Sequence, residues 1–154
     1  MRRVGLCLIL CAAAAIAEGA DISVSGTWWR IVSRDDLIAG AGTSLPAEIE
    51  SAAGIATLTI ANTGGSRWRV DVAKASDVNW PPGVNIAIRR SSAESGVDGG
   101  TTYLTLTQGA QTLIEGTGNH PSIQVQLRVQ GLSLQALAAT YSLLITYTIV
   151  PLDP

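Results

Sequence analysis

The stretch Thr140–Val150, Thr-Tyr-Ser-Leu-Leu-Ile-Thr-Tyr-Thr-Ile-Val, decides the fold. Side chains on a strand alternate between faces, so Tyr141, Leu143, Ile145, Tyr147 and Ile149 share one apolar face. Ser142, Leu144, Thr146, Thr148 and Val150 share the other, which is rich in hydroxyls. A long strand of this kind belongs in the middle of a sheet, with one face against a core. It is followed only by the proline-containing end Pro151–Pro154, so earlier strands must leave a place for it.

Working back from there, the same period of two recurs. In Pro121–Gln130, Ile123, Val125, Leu127 and Val129 point inward and Gln124, Gln126, Arg128 and Gln130 outward. Trp68, Val70 and Val72 alternate with Arg67, Arg69 and Asp71. Ile55–Ala61 is a short strand, and Asn62-Thr63-Gly64-Gly65 is a turn that joins it to Arg67–Lys74 as a hairpin. Trp80-Pro81-Pro82-Gly83 makes a rigid corner before Val84, Ile86 and Ile88. Asp21–Ser33 reads as a strand bulged at Gly26. Thr101–Thr107 is a further strand, and Leu113-Ile114 a minor one. Arg34–Gly54 loses the alternation and forms a long connection, functional or covering an open edge. About seven strands with regular turns and no amphipathic helix predict an all-β Greek-key (Ig-like) β-sandwich, a barrel being the competing architecture.

The first residues stand apart. Arg2 and Arg3, the apolar run Val4–Cys11 and the small-residue stretch Ala12–Ala17 follow the layout of a signal peptide, with cleavage after Ala15-Ile16-Ala17. The run is too short to span a bilayer, and no second long apolar run follows, so no transmembrane segment is expected. This predicts a signal peptide over 1–17, a single domain over 18–154, and export to the periplasm, cell surface or exterior. Both cysteines, Cys7 and Cys11, lie in the removed segment, so the exported domain must be held by its core without disulfides. Cleavage removes two arginines and no acid, taking the formal charge from −2 to −4. Nucleic acid is not an expected partner of so mildly acidic a domain.

Little here can do catalysis. His120 is the single histidine, placed in a turn between Asn119 and Pro121, and any Ser-His-Asp triad would have to use it. No G-x-S-x-G elbow occurs. The acids Asp35-Asp36 and Glu48/Glu50 flank the long connection without the spacing of a calcium loop, and Asp98-Gly99-Gly100 reads as a turn. No enzyme activity, cofactor or metal is expected. The four tryptophans, in a chain without phenylalanine, are the best clue to binding. Trp68 shares the apolar phase of its strand and belongs to the core. Trp28 and Trp29 are neighbours and must face opposite ways. Trp29 and Trp80 are the candidates for stacking on a sugar ring, with polysaccharide as a candidate partner; Trp80 also suits a cap on the end of the sandwich.

The closing strand, entered through Ala138-Ala139-Thr140-Tyr141 and followed by Leu143, Ile145 and Tyr147, resembles that of exported fimbrial and spore-coat-U-type subunits of bacteria. The chain departs from the pilin pattern in lacking its cysteine pair and in running on past Tyr147 to Ile149, Val150 and a proline-rich end. The resemblance implies a cell-surface or fibre subunit that self-assembles, or joins other surface subunits, by adding an extended segment to a sheet edge. Glu18–Ser25 is then the candidate donor; the alternative is that it forms the first strand of its own sandwich.

Leu134–Leu143 also resembles the tyrosine corner of such sandwiches, in which the Tyr141 hydroxyl bonds to backbone a few residues upstream; the alternative leaves that hydroxyl in water. With the corner formed, Tyr141→Phe lowers stability by about 1 kcal/mol in urea unfolding. An unchanged midpoint would count against the corner.

Overall fold

The computed structural model describes residues 4–10, 20–39, 44–76, 80–133 and 139–152. They form twelve strands: β1 (Val4–Leu10), β2 (Asp21–Ser25), β3 (Trp28–Val32), β4 (Glu48–Glu50), β5 (Ala56–Ala61), β6 (Arg67–Ser76), β7 (Asn85–Arg90), β8 (Val97–Asp98), β9 (Leu104–Thr105), β10 (Gln111–Thr117), β11 (His120–Gln130) and β12 (Tyr141–Pro151). One sheet runs β3-β1-β12-β6-β10-β8 and the other β2-β5-β11-β7-β9, with β4 also on β11. The all-β sandwich expected from the alternation is therefore the architecture. Among the described residues no helix is long and apolar enough to cross a membrane.

The inward faces are those the period of two assigns. Tyr141, Leu143, Ile145, Tyr147 and Ile149 of β12 are buried and face Leu58, Ile60, Ile123, Val125 and Leu127 of the second sheet within one core cluster. Trp68 is fully buried and its ring edge packs against Gly116, its register partner on β10. A Cβ at Gly116 would sit 2.5 Å from the indole carbons, so only glycine leaves room for the ring.

Two expectations are corrected. Asp21–Ser33 is not one bulged strand but two, in opposite sheets: β2 pairs with β5 and β3 with β1. The switch is made at Gly26, whose φ of 118° and whose approach to Ile55 and Ala56 admit no side chain. Nor do Ile55–Ala61 and Arg67–Lys74 form a hairpin. The turn is where the glycines place it, with Asn62, Gly64 and Gly65 at positive φ, but it arches from β5 in one sheet to β6 in the other. Leu58 and Ile60 then share the core with Trp68, Val70 and Val72 of the opposite sheet. The arch is held to the β10–β11 turn by Asn119, whose Oδ1 accepts from the Thr63 amide (3.1 Å) and hydroxyl (2.9 Å), and by the Trp68 indole N–H, which donates to the Gly118 carbonyl at 2.7 Å. The same non-local pattern holds throughout: among the described strands, no two consecutive ones are sheet neighbours.

The long connection after β3 covers an edge. Its strand β4 pairs with Arg128–Gln130 of β11, beyond the reach of β5 on the same strand. Ser51 fills the gap, its amide donating to the Leu127 carbonyl (2.8 Å) and its hydroxyl accepting from the Leu127 amide (2.9 Å). Gln126, on the outward phase, is buried for this reason; its amide donates to the Ser51 carbonyl at 2.8 Å.

The carbonyls expected to receive the Tyr141 hydroxyl, on residues 134–138, lie outside the described residues. Tyr147 is different: its hydroxyl is buried and meets no hydrogen-bond partner among the described residues. Burial pushes its pKa well above the ordinary 10.0 of tyrosine. The unfolded chain therefore ionises first, and the stability present below pH 10 is lost as pH rises above it, by about 1.4 kcal/mol per unit from this group. Tyr147→Phe is expected to leave stability at pH 7 unchanged or raised, since an unsatisfied hydroxyl is removed, and to flatten that alkaline slope in urea titrations. Gly116→Ala, by contrast, should lower stability by about 1–3 kcal/mol by pushing on Trp68.

Candidate functional site

β12 needs a neighbour on both sides, and it has two of different kinds. On one side β6 runs antiparallel to it over most of its length. On the other is β1, parallel, with Leu6, Cys7, Leu8, Ile9 and Leu10 in register with Tyr141, Ser142, Leu143, Leu144 and Ile145. β1 is in turn the sheet partner of β3, antiparallel, from Val4 opposite Val32 to Leu8 opposite Trp28. The segment whose composition reads as the apolar part of a signal peptide thus occupies a seam between β3 and β12. The cleavage residues Ala15–Glu18 lie outside the described residues.

β3 lies at the edge of its sheet, and its adjacent tryptophans part as a strand requires. Trp28 is 6% exposed and joins the core, while Trp29 is 54% and Ile31 42% exposed on the outer face. Arg30 donates to Asp36, which also accepts from the Ser33 amide at 2.8 Å. Asp35 and Asp36 sit in the short 3-10 turn that follows β3. Val24 and Ile22, on the segment considered as a donor, are paired within their own sheet, opposite Leu58 and Ile60 of β5.

The remaining candidates are separated. Trp80 is half-buried against the core, and its indole N–H donates to the Val84 carbonyl at 2.7 Å, so it caps the corner that Pro81 and Pro82 create. His120 stacks edge-on against Trp68 with ring centroids 5.6 Å apart, its Nε2 lying 3.0 Å from the Thr117 carbonyl. Glu48 accepts from Arg128 (2.9 Å) and Gln130 (2.6 Å). Gly99 and Gly100 turn at positive φ, and their loop wraps the Arg90 guanidinium, which donates to the carbonyls of Gly99 (3.1 Å) and Val97 (2.9 Å). Among the described residues no three His, Cys, Asp or Glu side chains come together to hold a metal ion.

One grouping was not read from the sequence. On the outer face of the second sheet Tyr103 lies under two guanidinium groups, Arg128 at 4.0 Å and Arg89 at 4.7 Å from its ring centre. Desolvation raises the Tyr103 pKa, with nearby Glu50 adding to it and the two arginines opposing, although among the described residues no hydrogen bond of ordinary geometry reaches its hydroxyl. Arg89 also donates twice to Gln126, at 2.9 and 2.7 Å. The outward phase of Arg128 is legible in the sequence, but its convergence with Arg89 on Tyr103 depends on the pairing of β7 with β11 and β9. With Glu48 bound to Arg128 and Glu50 beside Tyr103, the group compensates its own charge and ties the long connection to the sheet.

No protein family's sequence model matches the chain, and no characterised protein matches it in sequence.

The two indoles of β3 predict opposite outcomes. Trp28→Ala should cost about 3–5 kcal/mol by opening the core, whereas Trp29→Ala should shift stability by less than about 0.5 kcal/mol. Urea unfolding of the two variants checks this.

Proposed function

We propose that this chain is an exported, non-enzymatic β-sandwich subunit of a cell-surface or extracellular assembly, fibre- or coat-like, which joins its neighbours through an open edge of the first sheet. β3 carries this conclusion: among the described strands its only sheet partner is β1. Loss of residues 1–17 on export would leave β3 without a sheet neighbour and expose the backbone of Tyr141–Ile145 along one edge of β12. Unpaired backbone beside an apolar core is a template for an added strand. The resemblance of the closing strand to fimbrial and coat subunits points the same way. Asp21–Ser25 is engaged with β5, so the added strand need not be this segment of a neighbour.

A second reading rests on the exposure of Trp29 (54%), a flat indole available to stack on a sugar ring of a polysaccharide. Trp80 supports it less, being tied to Val84.

The test is made on the secreted product of the full chain. Mass spectrometry is expected to show a start at Glu18. Amide exchange at Trp28–Val32 and Tyr141–Ile145 should be fast in the isolated subunit and at least tenfold slower in oligomers separated by size. A product that stays monomeric at all concentrations, with both segments protected, overturns the proposal. Polysaccharide pull-down that is lost in Trp29→Ala would favour the second reading.

A further inference from the structure

The seam also constrains the chemistry of whatever completes it. In a paired ladder, residues opposite one another share a face. The slot position of residue 8 lies between buried Trp28 and Leu143, so it belongs to the inner face. The positions of residues 5, 7 and 9 then belong to the outer face. There they adjoin Ile31, Trp29 and Leu144 respectively. Ile31 and Trp29 are the exposed apolar residues of β3, and Leu144 is half-buried between Ser142 and Thr146 on the outer face of β12. The outer face of the slot is therefore flanked mainly by apolar side chains, with Ser142 opposite position 7 the polar neighbour. The inner face is flanked by Trp28, Tyr141 and Leu143, with half-buried Arg30 opposite position 6.

Resting on the proposed function, we infer that the strand completing this sheet is an extended segment of a partner chain that is apolar on both faces, at least five residues long, and parallel to β12. A strand with alternating polar residues satisfies the inner face alone. Glu18–Ser25 of a second copy is of that kind: with Ala20, Ile22 and Val24 inward, Asp21 and Ser23 would meet Trp29 and its neighbours. A continuously apolar segment, such as the Val4–Leu10 sequence itself, satisfies both.

Three lysine-flanked synthetic peptides test this on the secreted product: Val-Gly-Leu-Val-Leu-Ile-Leu, the alternating Val-Gly-Leu-Ser-Leu-Ser-Leu, which differs from it only at the outer positions 7 and 9, and Glu18–Ser25. Affinity is read from tryptophan fluorescence and occupancy from the rise in Tm. The continuously apolar peptide is expected to bind about tenfold more tightly than either other, the effect of burying one or two further apolar side chains. In Trp29→Ala that preference should fall below threefold, although the variant remains folded. Equal binding of all three peptides overturns this inference and leaves the open-seam proposal standing. If no peptide binds or raises Tm, the open seam itself is refuted, and the inference with it.

Discussion

A strand in the interior of a sheet must find a partner for its backbone on each side, because a buried N–H or C=O left unpaired costs about 1–3 kcal/mol. β12 brings this constraint to a head. Five of its side chains, from Tyr141 to Ile149, are locked into the core, so it cannot withdraw toward solvent when one side is uncovered. β6 satisfies one edge; the other is satisfied by β1, a segment whose composition reads as the apolar part of a signal peptide. Core packing fixes the strand in place, and the backbone then demands a neighbour.

The alternation of apolar and polar residues was enough to give the elements and their inner faces. Ile123, Val125, Leu127 and Val129 are all buried as their phase requires, as are Trp68, Val70 and Val72. Partner choice was not legible. A period of two tells which side of a strand faces the core, yet a strand in either sheet can face the same core. For that reason β5 and β6, separated by a good turn, were read as a hairpin when they are opposite walls of the sandwich. Gly26 was recognised as a break in the pattern, but whether it bulges a strand or sends it to the other sheet depends on tertiary contact with Ile55 and Ala56.

At the site the balance is similar. The opposed orientations of Trp28 and Trp29 followed from adjacency on a strand, and the cap role of Trp80 from its prolines. The seam did not, because it arises from a parallel pairing between the two ends of the described chain, with Leu6 opposite Tyr141. Nothing local in sequence encodes such a contact. The Arg89–Tyr103–Arg128 stack escaped notice for the same reason: its members come from three separate segments.

The absence of sheet pairing between consecutive strands bears on how the molecule comes into being. Hairpins are the quick, local steps of β-protein folding; a domain whose described pairings all skip at least one strand must close large loops before any ladder is rewarded, and chains of such topology fold slowly. Five of the ten ladders between described strands also include β11 or β12, which come after every other described strand in the sequence. Until β11 and β12 are in place each sheet lacks an interior strand that joins its two halves, so the sandwich closes late and as a unit.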